Sequence, residues 1–125
     1  GSIRGRIIAC GGGQGCGWQP GANAKTLAYC SGGSSCWAST LRVGKRLYCD
    51  GDDSCHYGEL KIGEDLYCNG NYACQEATID PLNPRTRINS VICSSSGSCD
   101  SSKINAVDRL TITGRNGAAS STIIG

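Results

Sequence analysis

The chain has no phenylalanine and no methionine, and only two tryptophans, three prolines and one histidine among its 125 residues. With so few large apolar side chains a conventional globular core would be thin. Cross-links or stacked repeats must supply what burial does not. No hydrophobic run approaches the roughly 20 residues that span a bilayer, so no membrane span is expected. No apolar stripe at helical spacing lasts beyond one turn, so nothing reads as a helix. The net charge of +2, with acids and bases read as interspersed, is too small to point to nucleic acid or an anionic membrane. No Asn-x-Ser/Thr acceptor occurs, so N-glycans are not expected, while the Ser-rich turns leave O-linked glycans open. The chain starts at Gly1-Ser2 without Met or a signal peptide, which suggests a mature chain, an expressed segment or a fragment.

What the chain does have is 19 glycines and ten cysteines. The cysteines fall in five pairs with five residues inside each: Cys10/Cys16, Cys30/Cys36, Cys49/Cys55, Cys68/Cys74 and Cys93/Cys99. First cysteines lie 20, 19, 19 and 25 residues apart, the mark of a repeat architecture. The segments "LYCDGDDSCHYGEL", "LYCNGNYACQEATI" and "VICSSSGSCDSSKI" agree beyond the cysteines. A sixth, "LTITGRNGAASSTI", puts Ile112 and Ala118 where the cysteines stood. Leu110, Ile112, Ala118 and Ile123 should therefore point inward, in line with Leu66, Cys68, Cys74 and Ile79.

Within each repeat the pattern alternates, as in Leu47-Tyr48-Cys49 and Leu66-Tyr67-Cys68, and again in Leu41-Arg42-Val43, Leu60-Lys61-Ile62 and Ile104-Asn105-Ala106. That is the period of a strand. The expected fold is all-β: a disulfide-laddered parallel β-solenoid of about six coils, 19–25 residues per coil, with residues 1–125 forming a single Cys-rich domain. A small residue stands two places after each first cysteine (Gly12, Gly32, Gly51, Gly70, Ser95, Gly114), which suggests positive φ. A second small column, Ser39, Gly58, Ala77, Ser102 and Ser121, follows the second cysteine. The insertion "PLNPRT" at residues 81–86 should be a loop thrown out of the coil, because its prolines cannot donate to a ladder. Disulfides could run vertically between coils or close within each repeat. Each vertical column holds five cysteines, so vertical pairing strands one thiol per column, whereas pairing within repeats leaves none.

The Cys-x5-Cys turn resembles the cysteine-laddered solenoids of beetle antifreeze proteins, which bridge across the coil in the same way. The likeness covers only the turn, since Thr111-Ile112-Thr113 is the sole Thr-x-Thr here. Over nearly the whole chain the closer resemblance is to Cys-x-Gly-x-x-Ser-Cys repeats of large extracellular proteins of algae and other protists. These include mastigoneme-type proteins that build hair-like fibres on flagella. That resemblance implies a Cys-rich solenoid and, less specifically, a structural role.

Chemistry-bearing residues are few. His56 lies beside Asp50, Asp52, Asp53 and Glu59, but no nucleophile accompanies it and no other coil repeats the set, so it reads as a solvated polar turn. "DGDD" lacks the regular nonapeptides of calcium-binding β-rolls, and the cysteine spacing is not that of a zinc knuckle; no metal or cofactor is expected. Trp18, Trp37 and Tyr57 follow the second cysteine by one or two residues, either as packing on the coil or as an aromatic strip for sugars. Tyr29, Tyr48 and Tyr67 form an outward column stacked between rungs. Arg46 with Asp65 and Lys45 with Glu64 should pair between coils.

Ten paired cysteines point to an oxidising compartment, hence an extracellular or cell-surface protein. The expected function is not enzymatic. It is a structural module of an extracellular filament, flagellar hair or coat that self-associates or continues in a longer repeat protein. The alternative is a binding module with a flat face for polysaccharide, adhesion or ice. The mixed outer column Arg42, Lys61, Asp80 and Asn105 counts against ice. A polysaccharide lyase comes third, since such β-helices are normally longer and need a charged cleft.

Overall fold

A computed structural model describes residues 3–11, 22–115 and 121–124. Among them there is no helix; every regular element is a strand in parallel pairing. Two long strands open the stack, β1 (Ile3–Cys10) and β2 (Ala22–Cys30). Beyond them each coil carries two short strands at an angle: β3 (Thr40–Val43) with β4 (Arg46–Cys49), β5 (Glu59–Ile62) with β6 (Asp65–Cys68), and β7 (Thr78–Pro81) with β8 (Ile88–Cys93). The last are β9 (Lys103–Asn105), β10 (Val107–Ile112) and β11 (Thr122–Ile124). One wall stacks β2-β4-β6-β8-β10 and the other stacks β2-β3-β5-β7-β9-β11, joined through β2, with β1 paired to β2. This is the expected β-solenoid of about six coils.

Register follows the sequence repeat. Ala28, Leu47, Leu66, Val91 and Leu110 form one column, and Cys30, Cys49, Cys68, Cys93 and Ile112 the next. On the other wall Ala22, Leu41, Leu60, Ile79, Ile104 and Ile123 are aligned. Alternation sends these side chains into a narrow interior, and in the middle coils they are fully buried. Fully burying such a side chain contributes about 1.5–3 kcal/mol, which a single coil could not collect alone. Ile104-Asn105-Ala106 departs from the pattern at its last residue: Ala106 takes φ 54° and leaves the strand.

The third wall is the cysteine turn. Cys30–Cys36, Cys49–Cys55, Cys68–Cys74 and Cys93–Cys99 are bonded within their own coils, with Cα separations of 5.9–6.0 Å. Cys10 is also disulfide-bonded; Cys16, its expected partner, lies outside the described residues, as does Ala118. Each of the four described turns is a string of three-residue closures, for example Ser54 N to Gly51 O, His56 N to Asp53 O and Gly58 N to Cys55 O. The remaining amides reach the next coil: Asp53 N to Asn71 O, Cys55 N to Ala73 O and Tyr57 N to Gln75 O. The turn is thus hydrogen-bonded both along the chain and along the axis.

The glycine column corrects the expectation of positive φ. In the four described cysteine turns left-handed φ falls instead four and eight residues after the first cysteine, at Ser34, Asp53, Tyr72 and Gly97 and at Ala38, Tyr57, Glu76 and Ser101, while Gly12 lies outside the described residues. Gly51, Gly70 and Gly114 are small because coils meet there: a Cβ on Gly70 would lie 2.2 Å from the Gly51 carbonyl oxygen. Ser95 fills the same column and hydrogen-bonds its hydroxyl to the Asn69 carbonyl. The corner between the strand walls imposes the same constraint at Gly44 and Gly63, where a Cβ would come within 1.9 Å of the preceding coil's carbonyl.

Two further expectations are adjusted. Pro81 is the last residue of β7, opposite Ile62, so the projecting loop spans residues 82–87. Asn83 organises it, accepting the Arg85 and Thr86 amides at 2.9 Å, and Ile88 re-enters the core. Between coils Arg46 reaches Asp65 at 3.8 Å, but Lys45 and Glu64 form no ion pair.

Candidate functional site

Three surfaces carry chemistry beyond the core. The first is on the turn wall. The residues just after the second cysteine, Trp37 and His56, stack one coil apart, with ring centroids 6.0 Å apart and an edge-on angle of 68°. Tyr57, turned outward by its left-handed φ, lies 5.5 Å from Trp37 and 4.3 Å from His56. Trp37 and Tyr57 are therefore brought together as one aromatic patch; Trp18 lies outside the described residues. The Tyr57 phenol hydrogen-bonds Glu76 of the next coil, and that bond, helped by the carboxylate charge, holds its pKa above the usual phenol value.

His56 Nδ1 lies 3.2 Å from Asp53 Oδ1, and Nε2 is 3.9 Å from Glu76 Oε1. The neighbouring Ser54 hydroxyl is buried without a hydrogen-bond partner and is not joined to the imidazole. Ser54, Ser35 and Ala73 occupy equivalent turn positions, so the site asks for small size rather than a hydroxyl. The "DGDD" carboxylates diverge. Asp50 accepts from Asn69 at 2.7 Å, Asp52 from the Asn71 amide at 3.0 Å, and Asp53 faces His56. Among the described residues the only close ligand triads are sulfurs of Cys10, Cys30 and Cys36 and of Cys68, Cys93 and Cys99, all consumed in disulfides.

The outer strand columns are ladders. Tyr29, Tyr48 and Tyr67 stack face to face, with centroids 5.0 and 4.8 Å apart and planes within 7° of parallel, as the sequence column implies. Asn69 links Asp50 to Ser94. Asp80 accepts from Lys61 at 3.1 Å and Asn105 at 2.7 Å, and Asp65 accepts from Asn89 at 2.9 Å. The Arg46 guanidinium is held charged above its ordinary range, chiefly by a hydrogen bond with Tyr48.

The second surface was not legible from overall composition. A groove of about 1000 Å³ runs along the first coils, lined by Arg4, Arg6, Asn23, Lys25 and Arg42 and closed at one side by Leu82. No carboxylate lines it, and none of its four cationic side chains has an ion pair among the described residues. The charges are segregated rather than interspersed. Residues 1–49 contain six Lys or Arg and no acid, and the first carboxylate is Asp50. The remaining residues carry six bases and ten acids, so +6 and −4 make up the net +2.

The third surface is the face of the last described coil. Ile112 and Ile123 lie in register with Cys93 and Ile104, as the alignment of the sixth repeat requires. They are nevertheless 41% and 46% exposed, against full burial of the residues one coil below, and Leu110 is half-buried. The expected inward burial is corrected for these residues: no described coil covers them.

No protein-family model matches this chain, and neither a curated protein nor a solved structure does. The assignments therefore rest on geometry. The fourfold disulfide ladder fits an oxidising, secreted setting, and no helix among the described residues is long and apolar enough to cross a membrane.

Proposed function

We propose that this domain is a structural module of an extracellular filament, flagellar hair or surface coat, and that it acts by stacking coil on coil. One observation carries the reading: the interior columns continue in register into the last described coil but are left partly open there, at Leu110, Ile112 and Ile123. Open strand edges and exposed apolar columns recruit another strand layer. A further coil, from the same protein or a second copy, offers the matching surface. Head-to-tail stacking of this kind repeats without closing and yields filaments rather than rings. The aromatic patch of Trp37 and Tyr57 provides a lateral contact, since aromatic residues are enriched in interface cores. The resemblance to algal and protist repeat proteins of extracellular fibres agrees with this role.

The test follows the size of the oxidised protein against concentration by light scattering and electron microscopy, alongside an Ile112→Lys/Ile123→Lys variant. Concentration-dependent filaments that the variant abolishes are expected. A wild-type chain shown to be full length and still monomeric at about 1 mM, where association worth about 4 kcal/mol would show, refutes the stacking role.

A further inference from the structure

We infer that the basic groove on the first coils is a binding site for a linear acidic polysaccharide, recognised through its carboxylate or sulfate groups. The inference is independent of stacking, because the groove opens on the side of the solenoid and stacking uses the coil faces. Its elements are Arg4 and Arg6 on β1, Lys25 on β2 and Arg42 on β3. Parallel pairing sets Arg4, Asn23 and Arg42 opposite one another on three successive strands. At about 4.8 Å per rung this makes a row of donors along the axis.

A row of fixed cations suits a chain that repeats its anionic group, more than a single small anion. Guanidinium groups meet carboxylate and sulfate with paired, charge-assisted hydrogen bonds, and Lys25 adds a point charge. Elsewhere on the same outer column the cation is already neutralised: Lys61 is bound to Asp80 at 3.1 Å. Arg42, one coil earlier, has no such partner. The corner glycine Gly44 keeps the floor low, since its missing Cβ is where the Lys25 carbonyl passes. With low-dielectric walls and one sign of charge, the groove focuses its field on a passing polyanion. A nucleic acid carries a comparable charge, but the disulfide ladder places the domain where extracellular acidic glycans are the abundant polyanions.

The experiment uses the full oxidised chain and measures binding to polygalacturonate, dextran sulfate, neutral dextran and oligo-deoxythymidine by calorimetry at two salt concentrations. Three variants accompany it. Lys25→Gln/Arg42→Gln removes two groove charges, Lys25→Arg/Arg42→Lys keeps them, and Lys103→Gln/Arg109→Gln removes the same charge far from the groove. All four targeted side chains, Lys25, Arg42, Lys103 and Arg109, are exposed on the surface, so the fold tolerates the changes. The expectation is salt-sensitive binding to at least one acidic polysaccharide and none to dextran. The groove-neutralising variant should lose about tenfold, as for about 1.4 kcal/mol of lost contact, while the charge-keeping and distant variants stay within about twofold. Sulfate-only or carboxylate-only binding identifies the group read. The inference is overturned by no binding to either acidic polysaccharide, by equal loss in the groove and distant variants, or by oligo-deoxythymidine binding at least as tightly as the polysaccharides.

Discussion

Removing one rung of the disulfide ladder tests what holds the coil closed. Cys49–Cys55 sits in the middle of the stack, with both half-cystines fully buried. It closes a short loop of six-residue separation, for which the loop-entropy relation gives about 2.3 kcal/mol. Replacing both cysteines by alanine also leaves two sulfur-sized voids in a narrow interior, at about 1 kcal/mol each. Cys49→Ala/Cys55→Ala should therefore lose about 4 kcal/mol. The sixth repeat suggests a control. Its sequence has isoleucine and alanine at these two positions, and Ile112 does stand in the cysteine column. Cys49→Ile/Cys55→Ala refills much of the void but not the cross-link, so it should lose only about 2 kcal/mol.

Urea midpoints and slopes under non-reducing conditions give the ranking. Because stacked repeats can lose cooperativity, amide exchange at Asp53, Cys55 and Tyr57 supplies the local readout. These amides donate to Asn71, Ala73 and Gln75 of the following coil, and both variants should speed their exchange more than that of β4 and β6. Equal stability of the two variants would refute the void argument. A loss below about 0.5 kcal/mol in both would refute the view that the cross-link stabilises the turn.

Two further outcomes follow from close contacts. Gly63→Ala places a Cβ where the Gly44 carbonyl oxygen lies 1.9 Å away, so it should cost about 1–3 kcal/mol in chemical denaturation; Gly33→Ala, whose Cβ meets nothing closer than 3.9 Å, should cost far less. Tyr57 should ionise above the ordinary phenol range, because its neutral form donates to Glu76, and Glu76→Gln should bring the titration of its ring resonances down. The folded pKa is raised, so this bond's contribution is whole below the unfolded value and is lost as pH rises through the folded one.

The strand columns were legible in the sequence because two rules coincide there: an alternating side-chain period and a 19-residue coil. Leu47-Tyr48-Cys49 shows both at once, with Leu47 and Cys49 buried and Tyr48 stacked between Tyr29 and Tyr67. The turn was only half legible. Its glycines look like positive-φ residues, yet left-handed φ is carried by Ser34, Asp53 and Tyr72, and the glycines answer to the neighbouring coil's carbonyls. One coil's sequence cannot show how closely the next will approach. The Gly44 and Gly63 corner is hidden for the same reason, although the 19-residue spacing of the two glycines marks it. The basic groove was hidden by averaging: a net charge of +2 conceals an acid-free first 49 residues, and stacking then gathers those charges on one side.

The interior alone does not specify which coil lies next to which. Its columns repeat Leu, Ile, Val and Cys, so the interior of one coil matches the coil after next as well as its true neighbour. The disulfides cannot tell the two apart, because each described pair closes within its own coil. What differs from rung to rung is the exterior. Asp50–Asn69–Ser94, Lys61–Asp80–Asn105 and Arg46–Asp65–Asn89 each pair unlike groups, and contact with the coil after next would set Asp50 against Ser94 and Lys61 against Asn105. Each exposed bond is worth little by itself, but their sum decides between registers that the core leaves nearly equal. The same reasoning bears on assembly. If a further coil stacks on this end as proposed, Ile112 and Ile123 would accept any coil with matching interior columns, and selectivity would fall to the exposed outer residues of the last rung, Asp108, Arg109 and Thr111, and to whatever they can pair with.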